Sequence, residues 1–297
     1  MKNTNEKKTI APNECSTLRW IAVLAVAFLI GIVGAMPLNS LLQNRVDTIM
    51  GIAYADFFGM LSFIPMFLGI YIAVRFLAKT TMKDFILGVG GKVDKKSSLI
   101  VLGLYAVGFA IPLLITVNCL QWRGVKADQF AFLLVFMLLT AWIQTTFEEL
   151  VYRGVFLRWA CKNKVGYTAK AFIAIAVSSA FFALSHVTNP EVTSKSGIDI
   201  LIMMITYALP GAACFIVNMH FGTLLPGIII HWLNNFLLFT LVSSEVSAVA
   251  VPTLLIDTTP HTAAWSFIST LIAYVPVLAY VLFDIVRRKK CASCNEQ

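Results

Sequence analysis

Long apolar segments follow one another along the chain and are separated by short polar or basic stretches. A membrane-spanning helix needs about 20 apolar residues, and by this measure the sequence predicts eight spans. They are residues 20–42, 52–77, 99–120, 130–158, 169–187, 198–219, 223–242 and 264–286. We therefore expect an all-α fold, a polytopic membrane protein with about eight transmembrane helices around a central polar cavity.

The composition agrees with this fold class, because 59% of the residues are hydrophobic, 13% are charged and the mean hydropathy is +0.82. The spans follow too closely for a soluble domain to lie between them. The prediction is one transmembrane domain, residues 19–286, between a cytoplasmic N-terminal tail, residues 1–18, and a cytoplasmic C-terminal tail, residues 287–297.

The formal net charge of +8 raises the question of a nucleic-acid partner. The Lys and Arg residues cluster beside the apolar segments, which is the pattern of a protein facing anionic membrane lipid. We expect membrane lipid as a partner and no nucleic acid. The oligomeric state cannot be read from the sequence.

The basic connections also predict the orientation, since cytoplasmic loops carry an excess of Lys and Arg. Residues 75–98 and 158–167 are basic, whereas residues 243–263 contain no Lys or Arg. With eight spans, both termini are then cytoplasmic, and the short loops favour a bacterial cytoplasmic membrane. Residues 82–89, MKDFILGV, fit either a short amphipathic surface helix or a plain loop.

Charged residues within the fourth span require an explanation, because charge at bilayer depth is costly. The segment EELVYR contains Glu148, Glu149 and Arg153. On a regular helix they share a polar half, and Glu149 can pair with Arg153 four residues later. Glu148 has no such partner in its own helix. Taken alone, a structural ion pair with a solvated neighbour explains this segment as well as a catalytic site does.

Two later spans carry polar residues at helical spacing. Phe182 and His186 are four residues apart, as are His231 and Asn235. At a rise of about 1.5 Å per residue, Glu148, both histidines and Asn235 can meet near the middle of the membrane.

These residue types form a usable hydrolytic set. A glutamate beside a histidine can hold and deprotonate a water molecule. A second histidine and an asparagine can donate hydrogen bonds to the oxyanion that develops on an attacked carbonyl. The pattern therefore indicates peptide-bond hydrolysis inside the membrane.

The same residues resemble a known family. EELVYR, FALSH and HWLNN fit, in order, the EExxxR, FxxxH and HxxxN motifs of the CPBP (CAAX protease and bacteriocin-processing, or Abi) intramembrane glutamic endopeptidases. The resemblance covers residues of about 130–241, which we take as the catalytic core. It implies that Glu148 and His186 activate water, that His231 and Asn235 form the oxyanion site, and that the supporting residues are Glu149, Arg153 and Phe182.

The expected substrate is a membrane-associated peptide or protein, either lipidated or a leader peptide, that enters from the membrane or cytoplasmic side. No cofactor and no metal are expected, although two histidines and two glutamates could in principle bind zinc. Motifs of serine, zinc and aspartyl membrane proteases are missing. Two alternatives remain open: a non-catalytic immunity or partner protein of the same fold, and a proton-coupled transporter.

Overall fold

The computed structural model describes residues 16–42, 48–88, 95–160, 169–249, 251–260 and 262–294. Twelve α-helices and one π-helical segment are present in these residues. The helices are α1 Thr17–Leu42, α2 Tyr54–Leu61, α3 Phe63–Phe76, α4 Met82–Leu87, α5 Lys95–Ile115, α6 Ala127–Glu148, α7 Val155–Ala160, α8 Ala169–Leu184, α9 Pro190–Thr193, α10 Ile198–Phe221, α11 Leu225–Thr240 and α12 Ala263–Cys294, and the π segment is Glu149–Gly154.

Short strands occupy some of the connections. Strands β1 Thr48–Ile49 and β2 Ile52–Ala53 form an antiparallel hairpin before α2. Strands β3 Leu120–Trp122, β4 Val242–Ser244 and β5 Leu255–Asp257 form a second sheet in the order β3-β5-β4. The second sheet joins the connection after α5 to the long connection after α11.

The predicted fold class is confirmed. Six helical segments among the described residues are long and apolar enough to cross a membrane, and α8 and α11 are shorter apolar helices. These eight elements correspond to the eight predicted spans. Large apolar side chains such as Leu29, Leu99, Leu114 and Leu282 are exposed on the outside of the helices, as expected where lipid is the solvent.

The helices form a ring around a cavity. In order around the ring, α1 packs on α3, α3 on α6, α6 on α11, α11 on α5, α5 on α12, α12 on α10 and α10 on α8. Helix α8 comes back to α1 through an edge-to-face contact between Phe28 and Phe181, whose ring centroids are 6.1 Å apart. The ring therefore brings α6, α8 and α11, the three helices with the predicted site residues, to one enclosed volume.

Several boundaries differ from the prediction. The second span is not one helix but a hairpin followed by α2 and α3, and the eighth continues past residue 286 to Cys294. The fourth span is interrupted by the π segment. Residues 82–87 do form a helix, and Phe85 at its centre is fully buried against Trp20. Most of the basic connection at residues 158–167 lies outside the described residues.

Glycines allow the closest helix contacts. A Cβ on Gly108 of α5 would collide with the backbone carbonyl oxygen of Ala273 in α12. Small residues at such positions let membrane helices approach each other closely, because van der Waals packing drives their association. A Cβ on Gly103, in the same helix, would have no atom within 4 Å. The two glycines thus offer a matched comparison.

We expect Gly108→Ala to destabilise the protein by about 1 to 3 kcal/mol, the usual cost of overpacking, because the α12 backbone must move. The thermal unfolding temperature in detergent should fall. Gly103→Ala should leave it unchanged or raise it slightly, since alanine is the better helix former. Equal shifts for both variants would contradict the packing explanation.

Candidate functional site

The π segment lies at the EELVYR motif. Glu148 is the last residue of α6, and the backbone N–H of Val155 donates to the carbonyl oxygen of Leu150, five residues earlier. Single π turns inside α-helices often occur at functional sites. The π segment buries Glu149 and Arg153 completely, whereas the Glu148 side chain lines the cavity.

Glu149 is bound by three elements at once. Its Oε1 lies 3.3 Å from Nη1 of Arg153 and 3.0 Å from Nδ1 of His231, and its Oε2 accepts a hydrogen bond of 3.1 Å from Nδ2 of Asn218. The predicted Glu149–Arg153 pair is present. The partners come from the π segment, α11 and α10, so this carboxylate ties three parts of the ring together.

Arg153 is also fully buried. Its guanidinium carbon lies 4.1 Å from the centroid of the Phe182 ring, and Nε donates to the carbonyl oxygen of Gly211 at 3.4 Å. Phe182 in turn meets His186 with centroids 4.5 Å apart and His231 with centroids 5.7 Å apart. The Phe182 ring therefore packs between the Arg153 guanidinium and the two histidine rings, His186 and His231.

Glu148 has a different environment from its neighbour. Its Oε1 accepts a hydrogen bond of 3.3 Å from Nε2 of Gln144, one turn earlier in the same helix. Its Oε2 is 3.4 Å from Nε2 of His231 and has no hydrogen-bond partner in the described chain. His231 thus lies between the two glutamates, and Oε2 of Glu148 is a buried carboxylate oxygen without a hydrogen bond.

His186 lies beyond the end of α8, although the sequence predicted a span that includes it. It follows the end of α8 at Leu184 by two residues, within a turn. Its Nδ1 is 2.7 Å from the carbonyl oxygen of Phe182, and because a carbonyl only accepts, Nδ1 is the protonated nitrogen. The neutral ring then has a lone pair on Nε2. The ring is stacked on Tyr207 with centroids 4.5 Å apart.

Glu148 and His186 line the same cavity but are not in direct contact. Within the described residues no carboxylate–imidazole pair of 4.0 Å or less joins them. The expectation that the two groups share one water molecule therefore requires the water to bridge a gap between them.

Asn235 faces the same cavity. Its Oδ1 accepts a hydrogen bond of 2.9 Å from Nδ2 of Asn234, whose own Oδ1 accepts one of 2.6 Å from the Tyr105 hydroxyl. This chain orients the amide, so the NH₂ group of Asn235 is the part that can donate to an acceptor in the cavity.

The cavity has a volume of about 990 Å³ and contains all four residues predicted as catalytic. Asn218 and Tyr207 join the site but were not among the residues predicted from the sequence. An asparagine within an apolar helix is a signal of an interhelical hydrogen bond, so Asn218 could have been found. Tyr207 gave no such signal, because its contact with His186 depends on how α8 and α10 pack.

Among the described residues no group of three or more His, Cys, Asp or Glu side chains is arranged to hold a metal ion. Hydrogen bonds and the ion pair to Arg153 already occupy Glu149 and His231. The absence of a cofactor remains a prediction.

The fold and the site define a multi-pass helical membrane protein with glutamate, histidine and asparagine side chains at one intramembrane cavity. Residues 130–237 match a family model described as type II CAAX prenyl endopeptidase Rce1-like. The match confirms the family resemblance drawn from the three motifs, and it covers the segment that contains all of them. This family is a protease family. No curated protein matches the chain.

We expect Arg153→Ala to lower the stability of the folded protein by about 3 to 5 kcal/mol, because it leaves the buried carboxylate of Glu149 without its cation. Arg153→Lys should be intermediate, since it keeps the charge and loses the planar fork. The fraction of monodisperse protein after heating in detergent measures this.

Arg287→Ala is the control, because Arg287 also pairs with a carboxylate, at 2.7 Å from Asp284, but is itself 61% exposed, and Asp284 keeps its contact with His220. An ion pair whose cation is exposed to solvent contributes about 0 to 1 kcal/mol. If Arg153→Ala and Arg287→Ala had similar effects, the pair at Glu149 would not carry the structural role assigned to it.

Proposed function

We propose that this protein is an intramembrane endopeptidase of the glutamic type. Glu148 and His186 activate water, and His231 with Asn235 stabilise the oxyanion. The observation that carries the proposal is the meeting of these four side chains at one cavity, within the segment that matches a protease family.

Water activation is assigned to Glu148 and His186. The unpartnered Oε2 of Glu148 and the Nε2 lone pair of His186 are both proton acceptors at the cavity. In the reaction, a water proton moves to one of them as the water oxygen bonds to the peptide carbonyl carbon. When the C–N bond breaks, the proton is delivered to the departing amine. The products are a free carboxyl group and a free amine.

The oxyanion is assigned to His231 and Asn235. Nε2 of His231 is 3.4 Å from Glu148, next to the expected position of the attacking water. Because Nδ1 donates to the Glu149 carboxylate, Nε2 donates to the oxyanion only when the ring is protonated on both nitrogens. Asn235 lies one helical turn further along α11 and offers its NH₂ group. Donors fixed in advance by the folded protein stabilise developing charge more strongly than solvent does.

The remaining polar residues support this arrangement. Glu149 holds His231 through Nδ1 at 3.0 Å, which keeps the other ring nitrogen toward Glu148. Arg153 and Phe182 pack against this pair. The two adjacent glutamates therefore have separate roles: Glu148 acts on water, and Glu149 positions the histidine.

The substrate is a membrane-associated peptide or protein, either lipidated or a leader peptide. The family description names prenylated CAAX proteins, and a lipid-anchored chain end is one member of this class. Membrane lipid surrounds the enzyme, and no nucleic acid takes part. The location is a multi-pass position in a bacterial cytoplasmic membrane.

A non-catalytic partner protein would also have this fold. It would have no need for a proton acceptor, an oriented amide and two histidines around one cavity, and their joint presence favours catalysis. A transporter would move its substrate through the cavity without cleaving it.

The catalytic assignment predicts different losses for different variants. A positioned base contributes about 10²- to 10⁴-fold, so Glu148→Gln and His186→Ala should nearly abolish cleavage. Removing one oxyanion donor costs about 10²- to 10³-fold in kcat, which is expected for Asn235→Ala. The measurement is mass spectrometry of membrane and secreted peptides from cells with equal amounts of each variant.

Glu245→Gln is the matched control, because Glu245 is exposed in the connection after β4 and should retain full activity. Unchanged cleavage in both Glu148→Gln and His186→Ala would remove these residues from the mechanism. No cleavage product in the wild type would favour the transporter, and a cellular effect that survives Glu148→Gln would favour the partner protein.

The metal-free assignment gives a further prediction. Prolonged treatment with a chelator should leave peptide cleavage unchanged, and the purified protein should contain no stoichiometric zinc. A zinc protease treated in the same buffer serves as the control and should lose activity. Activity lost to the chelator and restored by zinc would instead make Glu148, His186 and His231 ligand candidates.

A further inference from the structure

His186 lies where its own helix gives it little support. It follows the end of α8 at Leu184 by two residues, in a turn. Its Nδ1 bonds to the carbonyl oxygen of Phe182 at 2.7 Å, and the Phe182 ring lies against the imidazole with centroids 4.5 Å apart. Both contacts come from the preceding turn of the same segment. A catalytic base must be held within narrow limits of position and angle, so a contact from another helix matters here.

Tyr207 of α10 supplies such a contact. Its ring is stacked on the His186 imidazole with centroids 4.5 Å apart and planes inclined by 24°, whereas the Phe182 ring is inclined by 52°. A nearly parallel ring restrains tilting of the imidazole out of its own plane, and the bond at Nδ1 restrains rotation within that plane. Tyr207 and His186 both line the cavity.

Hydrogen bonds hold the Tyr207 hydroxyl in turn. It donates to Oε1 of Glu191 at 2.5 Å and accepts from Nδ2 of Asn189 at 2.9 Å. A phenolic hydroxyl has one proton to donate, and Glu191 takes it while Asn189 uses the oxygen as acceptor. Because hydrogen bonds are directional, the two bonds together fix the position of the phenol ring.

Asn189 and Glu191 belong to the same stretch of chain as His186. The backbone N–H of Asn189 donates to the carbonyl oxygen of His186 at 3.0 Å. This stretch therefore reaches Tyr207 twice, through the imidazole at the face of the phenol ring and through Asn189 and Glu191 at its hydroxyl. The contacts form a closed loop, which we call the Tyr207 clamp.

Apolar packing joins the clamp to α10. Val192 of α9 forms a buried cluster with Met203 of α10 and Ala263 of α12, and Tyr207 packs against this cluster. Met203 and Tyr207 are four residues apart, so they lie on the same side of α10. The turn with His186 is thereby attached to a membrane-spanning helix next to the point where the phenol ring meets the imidazole.

We propose that Tyr207 is a positioning residue for His186, and that Asn189 and Glu191 fix the phenol ring through its hydroxyl. The proposal rests on the proposed function for the catalytic role of His186, and on the structure for the clamp. Tyr207 is assigned no contact with the reacting atoms. Its effect on the reaction passes through the position of the imidazole.

Two variants of Tyr207 separate the ring from its hydroxyl. Misplacing a catalytic group by about 1 Å can cost about 10²-fold in rate, so Tyr207→Leu should lower kcat by about 10- to 100-fold and leave KM nearly unchanged. Tyr207→Phe keeps the stacked ring and should recover most of the activity. The measurement is steady-state cleavage of a peptide by purified protein in detergent, expressed per folded molecule.

Tyr280→Leu is the matched control. Tyr280 is also a partly buried tyrosine whose hydroxyl reaches another helix, since it donates to Oγ of Ser97 at 3.3 Å, but it does not line the cavity. Its kcat and KM should equal those of the wild type. Equal losses of kcat in Tyr207→Leu and Tyr280→Leu, or a rise in KM alone in Tyr207→Leu, would overturn the positioning role.

A double-mutant cycle tests the hydroxyl arm of the clamp with milder changes, and it remains informative if Tyr207→Leu does not accumulate. Asn189→Ala should lower kcat several-fold in the wild type. In the Tyr207→Phe background it should have little further effect, because the hydroxyl that Asn189 holds is already gone. Fully additive losses would show that Asn189 acts independently of Tyr207 and would remove it from the clamp.

Nuclear magnetic resonance tests the clamp without catalysis. The chain has four histidines, so protein labelled with ¹³C in the histidine rings gives few signals, and His186→Ala identifies the one from His186. The ring current of a stacked phenol shifts this signal. Tyr207→Leu should therefore move it, whereas Tyr207→Phe and Tyr280→Leu should leave it close to its wild-type position.

The two readouts let the clamp and the proteolytic function fail separately. A His186 signal that does not respond to Tyr207→Leu would disprove the clamp, whatever the activity of the wild type. A signal that responds in a protein without any peptide cleavage would support the clamp and contradict the proposed function.

Discussion

The site depends on one buried carboxylate. Glu149 is completely inaccessible and binds Arg153, His231 and Asn218 at once. At this depth each of these groups would be costly to leave without a partner, so the three segments that carry them must pack in one way. Glu149 positions His231 by direct contact. It positions Phe182 indirectly, because the Arg153 side chain that it binds packs against the Phe182 ring.

Two adjacent glutamates have different environments at this point of the chain. Neighbouring residues on a helix point about 100° apart, and here Glu149 is buried in the protein interior while Glu148 stays at the cavity. Glu149 is saturated with donors, whereas Oε2 of Glu148 has no hydrogen bond and lies 3.4 Å from Nε2 of His231. A carboxylate oxygen without a donor is what the proposed general-base role of Glu148 requires.

The membrane-spanning ring and the site meet at the cavity. Among the described residues, six long and two shorter apolar helices form the ring. Phe85, Arg158 and Leu224 are buried near the start of α1, where Phe85 contacts Trp20, while strand β4 of the small sheet lines the cavity near the opposite ends of the helices.

The sequence by itself determined the fold class, the number of apolar elements and the identity of the candidate residues. The length of each apolar segment and the four-residue spacing of Glu149 and Arg153 are local properties of the sequence. Helical geometry alone predicts from them the membrane spans and the ion pair. Only the tertiary structure decided that His231 lies between the two glutamates, that His186 follows the end of α8, and that Asn218 and Tyr207 join the site. These contacts connect different helices. The rotation and depth of each helix depend on packing at positions such as Gly108 and Gly211, where the absence of a side chain lets the neighbouring helix approach closely.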